Sequence, residues 1–394
     1  MKQFKKIFRT FCLLFGSILV NTDLHANEVS QPENWDSVEV SLLTCSPHEE
    51  IYSLYGHTAI RYHNISTKED LVFNWGSFSF DKPFFIIRFV FGLTDYELVT
   101  LPYPYFCPYY EKWGSSVTEQ VLNLKSNEKK KLCQSLVDNL KPENRVYRYN
   151  YFYDNCSTRP RNLIEACLEG KLEYQPREDY NPSYREMIHF CTRNHPWGKF
   201  GNDMLLGVKA DQQTNLEQQE FLPDNLMYDF DHAQIYLNGA YRPLVKERRM
   251  PVPPGVQIIE PDFPCSPTAV FCILALVSII IAILEWRRHR TYKYWDVLLM
   301  SLQGLAGSVL FIMLFSQHPT TSTNLQLLLL NPLPLFYIPA VLKRKKDTKW
   351  WTILLIMIIL FCLGRIFQVY AEGMMILALC LLIRYYSNSK LKNK

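Results

Sequence analysis

The C-terminal third of this chain is a series of apolar runs, and no other feature limits the possible fold as strongly. The runs occupy residues 268–284, 297–315, 325–342, 350–370 and 373–383. Several have close to the roughly 20 apolar residues that an α-helix needs to cross a bilayer. This pattern excludes a purely soluble enzyme. It predicts an α-helical transmembrane bundle of 4–5 helices over residues 268–386, where the last run forms either a fifth span or a re-entrant hairpin with the fourth.

Basic residues lie after alternate runs only. They follow the first run at 287–293, the third run at 343–346 and the last run at 384–394. The turns after the second and fourth runs contain no Lys or Arg. This alternation is the positive-inside pattern. It predicts an N-terminal domain on the outside and a cytoplasmic tail over residues 387–394.

Residues 1–26 have the features of a secretory signal peptide. A basic start is followed by an apolar core from Phe11 to Val20 and by the small residue Ala26. The core is shorter than the roughly 20 residues of a span, so cleavage after Ala26 is favoured over an uncleaved anchor. In either case the chain from Asn27 onward is exported. We therefore predict a multi-pass protein of the bacterial inner membrane with its N-terminal domain in the periplasm.

The exported domain, residues 27–241, is predicted to be α+β. Strand-like patterns occur at 38–43, 58–63, 71–75 and 146–153, and helix-like patterns at 125–140 and from Asn155 to Gly170. Residues 242–267 contain seven prolines, which favours an extended linker to the membrane.

The aromatic segment Pro83–Tyr110 has two interpretations. It holds two apolar clusters, at 84–91 and 103–110. They are either core strands of an aromatic-rich domain or an apolar surface that enters the bilayer interface, where Tyr and Phe are favoured.

Two short segments contain residue types that suit nucleophilic catalysis. His57 follows a glycine at the entrance of a predicted strand, and Cys156 lies just before a predicted helix. A thiol at a helix N-terminus is favoured as thiolate, and a neighbouring imidazole lowers its pKa further. Cys156 and His57 are therefore a candidate nucleophile and base. Asn74 is the first candidate to orient the imidazole, and Asp154 is the second.

Other interpretations of these residues stay open on spacing alone. A single Cys is more often a buried apolar residue or half of a disulfide. Four further histidines are competing bases: His48, His63, His189 and His195.

Three segments in this order resemble the Lnb family, the lipoprotein N-acyltransferases of Bacteroides and its relatives. They read Gly-His-Thr-Ala-x-Arg at 56–61, Phe-Asn-Trp-Gly at 73–76 and Asp-Asn-Cys-Ser-Thr-Arg at 154–159. The resemblance spans about residues 38–231, and the signal peptide and multi-span tail match the same architecture. The order, with His before Cys, is also similar to the circularly permuted NlpC/papain-like fold. Lecithin:retinol acyltransferase shares that order and the Asn-Cys pair.

The resemblance implies a function and a set of site residues. A membrane phospholipid donates an acyl chain to Cys156, with His57 and Asn74 as its catalytic partners. The acceptor is the α-amine of the lipid-modified N-terminal cysteine of diacylglyceryl-modified lipoproteins. Arg61, Arg159 and Asn155 are candidate substrate-binding residues, and a structural ion pair is an alternative role for each arginine. The mechanism requires no metal or other cofactor.

Two other classes of function remain open. A cell-wall amidase or peptidase would use the same dyad on a peptide bond, although a single membrane anchor would suffice for it. A non-catalytic lipid-binding protein would have Cys156 in a disulfide, with Cys167 or Cys133 as the partner. The net charge of +4 gives no reason to expect a nucleic-acid partner, and the aromatic content of 14% excludes intrinsic disorder.

Overall fold

The computed structural model describes residues 32, 34–48, 50–78, 83–257, 263–318, 320–343 and 348–390. The predicted signal peptide lies outside these residues. The described chain forms an N-terminal α/β domain followed by a helical bundle, which confirms the predicted fold class.

The N-terminal domain is built on a seven-stranded antiparallel sheet with the strand order β10-β5-β1-β2-β3-β4-β6. Three shorter strands, β7, β8 and β9, form a second sheet. The strands are β1 (Val38–Cys45), β2 (His57–Asn64), β3 (Glu69–Ser77), β4 (Asp95–Pro102), β5 (Val117–Leu122), β6 (Val146–Arg148), β7 (Lys171–Glu173), β8 (Gln234–Leu237), β9 (Ala240–Pro243) and β10 (Val245–Val252). The predicted strands at 38–43, 58–63 and 71–75 are confirmed.

Helices cover both faces of the larger sheet. In the N-terminal domain they are α1 (Phe85–Val90), α2 (Tyr103–Lys112), α3 (Ser126–Leu140), α4 (Thr158–Cys167), α5 (Tyr184–Cys191), α6 (Pro196–Leu205), α7 (Leu216–Gln219) and α8 (Pro223–His232). Apolar residues of α3, α4 and α8 form one core with the sheet, and Leu132 and Leu136 of α3 contribute at helical spacing. Phe106 and Tyr110 of α2 cover the opposite face.

Five apolar helices follow. They are α9 (Pro267–Arg288), α10 (Lys293–Met313), α11 (Leu333–Leu342), α12 (Thr348–Gly364) and α13 (Met374–Lys390). Three helical segments are long and apolar enough to cross a bilayer: α9, α10 and Leu325–Leu342, which includes α11. The other two helices, α12 and α13, are shorter. Helix α13 continues through Lys390, so residues 387–390 of the predicted tail belong to this helix, and residues 391–394 lie outside the described chain.

A buried ion cluster joins three of the bundle helices. Arg384 of α13 donates to Glu285 of α9 at 2.8 Å and to Asp296 of α10 at 2.8 Å. All three side chains are almost completely inaccessible to solvent. Charged groups inside a membrane bundle need such partners, so the cluster fixes the relative positions of α9, α10 and α13.

The structure differs from the sequence predictions in three segments of the N-terminal part of the chain. The predicted linker at 242–267 includes β10, an edge strand that pairs with β5 and tolerates Pro251 beside a register shift. The predicted strand at 146–153 ends at Arg148, and the chain then turns. The segment Pro83–Tyr110 forms α1, β4 and most of α2, so only part of it is strand.

Candidate active site

Cys156 lies in a turn just before α4, and Asn155 holds that turn in place. The side-chain carbonyl of Asn155 accepts hydrogen bonds from the backbone N–H groups of Ser157 at 2.8 Å and Thr158 at 3.0 Å. Its amide group donates to the carbonyl oxygens of Tyr151 and Phe221. The Asn155 side chain is thus fully engaged and buried. These contacts fix the turn, and the predicted contact of Asn155 with substrate stays a prediction.

His57 enters the site from the start of β2. Gly56 precedes it with a φ of +77°, and a side chain there would place its Cβ 2.9 Å from the carbonyl oxygen of Cys45. The tight turn that the sequence predicts therefore requires glycine. His57 Nε2 lies 2.6 Å from Asn74 Oδ1 on β3. Since a carbonyl oxygen only accepts, Nε2 carries the proton and Nδ1 is the ring nitrogen left to serve the thiol.

Cys156 and His57 converge beside the end of β3. The position that a Cβ would take on Gly76 lies 3.8 Å from His57 Cε1 and 3.9 Å from Cys156 Cβ. The thiol and the imidazole are close enough for each to shift the pKa of the other. The structure therefore brings together the three residues that the sequence predicts as catalytic.

The electrostatics of the pair favour its charged form. Burial raises the pKa of the Cys156 thiol. The charge of the His57 imidazolium and its hydrogen bond oppose this, as does the backbone N–H of Thr58, and the net pKa is lowered. Burial lowers the pKa of His57, but the Cys156 thiolate and the hydrogen bond to Asn74 raise it above its ordinary value. These shifts favour a thiolate–imidazolium pair.

A small aromatic cavity of about 120 Å³ opens at the thiol. Its aromatic wall consists of Tyr52, Tyr55, Phe78, Tyr96, Tyr149, Tyr151 and Phe221. Burial, together with the nearby Cys156 charge, raises the pKa of Tyr96 to about 12. Tyr96 therefore keeps its hydroxyl proton at neutral pH and is available as a hydrogen-bond donor in the cavity.

The other candidate bases are engaged or distant. His48 bonds to the Ser53 hydroxyl at 2.9 Å, and burial lowers its pKa to about 4. His189 contacts Asp203 at 2.8 Å. His63 lies toward the far end of β2 from His57. His195 lines a separate cavity of about 360 Å³. His57 is thus the imidazole that serves Cys156.

The two arginines predicted to bind substrate have structural partners. The Arg61 guanidinium bonds to Asp70 at 2.7 Å and to Glu119 at 2.9 Å, and it stacks on the Tyr103 ring. Its side chain is 11% exposed. The structure therefore supports the ion-pair role of Arg61.

Arg159 has a comparable arrangement. It makes two hydrogen bonds to Asp154, at 2.6 and 2.8 Å, and lies over the Tyr147 ring. Asp154 is consequently engaged by Arg159, and Asn74 is the residue that contacts His57. Within the described ranges, no group of three or more His, Cys, Asp or Glu side chains is arranged to hold a metal ion.

The cavity wall is connected directly to the membrane bundle. Asn202 of α6 donates to the Tyr55 hydroxyl at 2.9 Å. The next two residues of α6 accept hydrogen bonds from the loop before α11, Asp203 from Gln326 and Met204 from Asn324, both at 2.7 Å. The site therefore lies close to the periplasmic side of the bundle.

Most residues of the cavity wall could not be predicted from the sequence. Phe221 and Asn202 are distant from the motifs along the chain, and no local pattern marks them. Tyr149 and Tyr151 did carry a signal, since they alternate in the aromatic run before Cys156. That alternation marks the wall of a cavity and not a continued strand.

The fold and the site together define a class of protein: a multi-span membrane protein with a periplasmic α/β domain that carries a Cys–His–Asn cluster. Two family models match the chain. The Lnb N-terminal periplasmic domain matches residues 28–188, and the Lnb transmembrane domain matches residues 258–394. The chain belongs to the Lnb family. No curated protein and no solved structure matches it.

Proposed function

We propose that this protein is a membrane-bound thiol acyltransferase that N-acylates lipoproteins. The acyl donor is a membrane phospholipid, and the acceptor is the α-amine of the diacylglyceryl-modified N-terminal cysteine of an exported lipoprotein. The observation that carries this proposal is the Cys156–His57–Asn74 cluster, which opens beside the membrane bundle. A site tethered at the bilayer has both lipid substrates at high effective concentration.

The first half-reaction forms a thioester. The Cys156 thiolate attacks the carbonyl carbon of the phospholipid ester, and a C–S bond forms as the carbonyl oxygen becomes an oxyanion. Collapse of this intermediate breaks the C–O bond. The His57 imidazolium gives its Nδ1 proton to the departing lysophospholipid oxygen, while Asn74 holds the ring through Nε2.

The second half-reaction transfers the acyl chain to nitrogen. The lipoprotein amine attacks the thioester carbonyl, and neutral His57 accepts a proton from the amine. The intermediate collapses with loss of the Cys156 thiolate, which restores the starting ion pair. Because Asn155 already engages the N–H groups of Ser157 and Thr158, these two groups are not available to stabilise the oxyanion. The protonated Tyr96 hydroxyl is a candidate donor in their place.

The two alternatives predict different properties of Cys156. The non-catalytic alternative expects it in a disulfide, but in the structure Cys156 is a free thiol, as are Cys133 and Cys167. A cell-wall amidase would share the Cys–His pair. It gives no reason for the contacts between the cavity wall and the bundle, which a lipid-dependent reaction does.

The test is mass spectrometry of lipoprotein N-termini from a strain that lacks this protein. The strain is complemented with the wild type, with Cys156→Ala or with Cys167→Ala. We expect the wild type and Cys167→Ala to restore the amide-linked third acyl chain. Cys156→Ala should leave it below detection, since loss of a nucleophile costs on the order of 10⁶-fold in comparable enzymes.

Each remaining outcome is informative once expression is matched by immunoblot. Restoration by Cys156→Ala would remove Cys156 from the mechanism and leave the activity in place. Failure of the expressed wild type to restore the acyl chain would reject the lipoprotein acyltransferase and favour the amidase.

A further inference from the structure

An exposed apolar segment lies in the chain between Phe78 and Tyr96, two residues of the active-site cavity wall. It comprises residues 84–90, which include α1, and we call it the apolar lip. Phe84, Ile87 and Phe89 are 75%, 55% and 44% exposed. Several large apolar side chains exposed within one short segment mark an interaction surface more often than a solvent-facing one.

The position of the lip in the chain connects it to the cavity wall. Phe78 and Tyr96 both line the cavity, and their rings are 4.8 Å apart. The lip lies in the chain between these two residues. Arg88 fixes it to the start of β4 through hydrogen bonds to the Leu93 carbonyl and to Asp95. The lip is therefore connected along the chain to the wall of the cavity that holds Cys156.

The lip is also attached to the end of a membrane-spanning helix. Phe91, just after the lip, accepts a hydrogen bond from the Gln317 backbone N–H at 3.0 Å, and the Phe89 carbonyl accepts one from His318 Nε2 at 3.0 Å. Gly92 allows this close approach, because a Cβ there would lie 3.1 Å from the backbone nitrogen of His318. Gln317 and His318 follow α10 by only a few residues.

The length of α10 places this attachment at the bilayer surface. Lys293–Met313 has 21 residues, or about 31 Å at a rise of 1.5 Å per residue. This length matches the ~30 Å hydrocarbon core of a bilayer. With the basic end of α10 at the cytoplasmic boundary, Met313 reaches the periplasmic boundary. The lip then lies at the level where aromatic side chains are most favoured.

The cavity at Cys156 is too small to hold a whole acyl chain, which gives the lip a role in supporting the rest of the chain. The cavity at Cys156 has a volume of about 120 Å³, whereas an engineered apolar cavity of about 150 Å³ binds a molecule the size of benzene. A phospholipid acyl chain is several times larger than benzene. The cavity thus accepts the carbonyl end of an acyl chain, and the rest of the chain must lie outside it.

We propose that the apolar lip inserts into the periplasmic leaflet of the membrane and supports the acyl chain as its ester reaches Cys156. The membrane insertion is inferred only from the exposed apolar side chains of the lip and from its attachment near the end of α10. The role in acyl delivery rests on the proposed function. Phe84, Ile87 and Phe89 contact lipid tails, and the carbonyl end of a chain reaches the thiol along the wall that Phe78 and Tyr96 form.

Photo-crosslinking tests the insertion directly. Ile87→p-benzoylphenylalanine is prepared in the full-length protein and reconstituted in vesicles of phosphatidylethanolamine and phosphatidylglycerol. The matched control is the same change at Ile65, which is 53% exposed in the turn at the opposite end of β2 from His57. After irradiation and digestion, we expect at least tenfold more phospholipid adduct at position 87 than at position 65.

Two outcomes would overturn the insertion. One is an equal yield of lipid adduct at the two positions. The other is crosslinking of position 87 mainly to a second copy of the chain, which would make the lip a protein interface. Since the adduct forms without turnover, the same experiment in a Cys156→Ala background keeps its meaning even if the acyltransferase proposal fails.

A charge on the lip tests its role in delivery. Ile87→Asp should lower acyl transfer from vesicle phospholipid at least fivefold and leave transfer from a water-soluble short-chain ester unchanged. Ile65→Asp should change neither rate. If Ile87→Asp lowered acyl transfer equally from both donors, the variant would have a general structural defect and the delivery role would be overturned. Full activity of Ile87→Asp on vesicle phospholipid would also overturn it.

Discussion

The two ends of helix α4 each carry a cysteine, and the two thiols have opposite properties. Cys156 lies at the N-terminal end and opens to the aromatic cavity, and its pKa is lowered by His57 despite burial. Cys167 is the last residue of the helix and lies in the core of the domain. Burial raises its pKa to about 12. One short helix therefore presents a nucleophile at one end and an inert apolar side chain at the other.

The difference arises from the surroundings of each sulfur atom. Cys167 Sγ donates to the Ile164 carbonyl at 3.0 Å, and the negative charge of Glu128 disfavours its thiolate further. Cys156 has an imidazolium and the Thr58 N–H as partners, and it faces the positive end of the helix dipole. Cysteine reactivity in this domain is thus decided by partners at the helix end and not by burial alone.

The largest expected difference is in the rate of alkylation. At pH 7, a thiol with a pKa of about 12 is only about one part in 10⁵ thiolate, whereas an ordinary thiol is a few per cent thiolate. Since the pKa of Cys156 is lowered, we expect iodoacetamide to modify it more than a thousandfold faster than Cys167. Peptide mass spectrometry after timed alkylation of the folded protein measures both rates. Comparable rates would mean that Cys156 is not activated.

A smaller effect is expected when the His57 side of the pair is changed. Asn74→Ala removes the hydrogen bond that orients the imidazole, and we expect acyl transfer to fall by about 10- to 100-fold, less than the loss of the base itself. The active form needs the thiolate and the imidazolium. Activity is therefore lost as pH falls through the lowered pKa of Cys156 and as pH rises through the raised pKa of His57.

The alkaline limb of the pH–rate profile, where activity falls as pH rises, distinguishes a loss of His57 orientation from a general structural defect. Asn74→Ala removes one contribution that raises the pKa of His57, so this limb should move to lower pH. Asn74→Asp keeps the acceptor and adds a negative charge, so it should move the limb to higher pH. A pH–rate profile measures both shifts. An unchanged limb in both variants would show that Asn74 does not act through His57.

Much of the catalytic cluster could be predicted from the sequence because its signals are local. The glycine before His57, the polar Asn74 in an apolar strand and the thiol before a helix each occur within a few residues. The strands β1–β3 and helix α3 were predicted for the same reason, since period-2 and helical spacing are properties of short segments.

The remaining features depend on contacts between distant parts of the chain. The sequence predicts Arg61 as a substrate-binding residue and does not reveal its ion pair, because its partner Glu119 lies on β5, far away in the chain. The sequence predicts a linker in place of strand β10 because Pro251 is tolerated only at a sheet edge, and edges are not visible in a sequence. The cavity wall contains Phe221, which only the folded chain brings to Cys156.

The smallest expected effect concerns the turn that holds Cys156 at the helix end. Asn155→Ala leaves the N–H groups of Ser157 and Thr158 without their acceptor. We expect it to cost about 1–2 kcal/mol of stability and to reduce acyl transfer roughly tenfold, because the thiol is no longer fixed toward His57. Asn127→Ala, the same change at an exposed position of α3, is the matched control and should alter neither. Thermal unfolding and acyl transfer together measure the two effects. An Asn155→Ala variant that unfolds earlier but keeps full activity would show that the turn stabilises the domain without positioning the nucleophile.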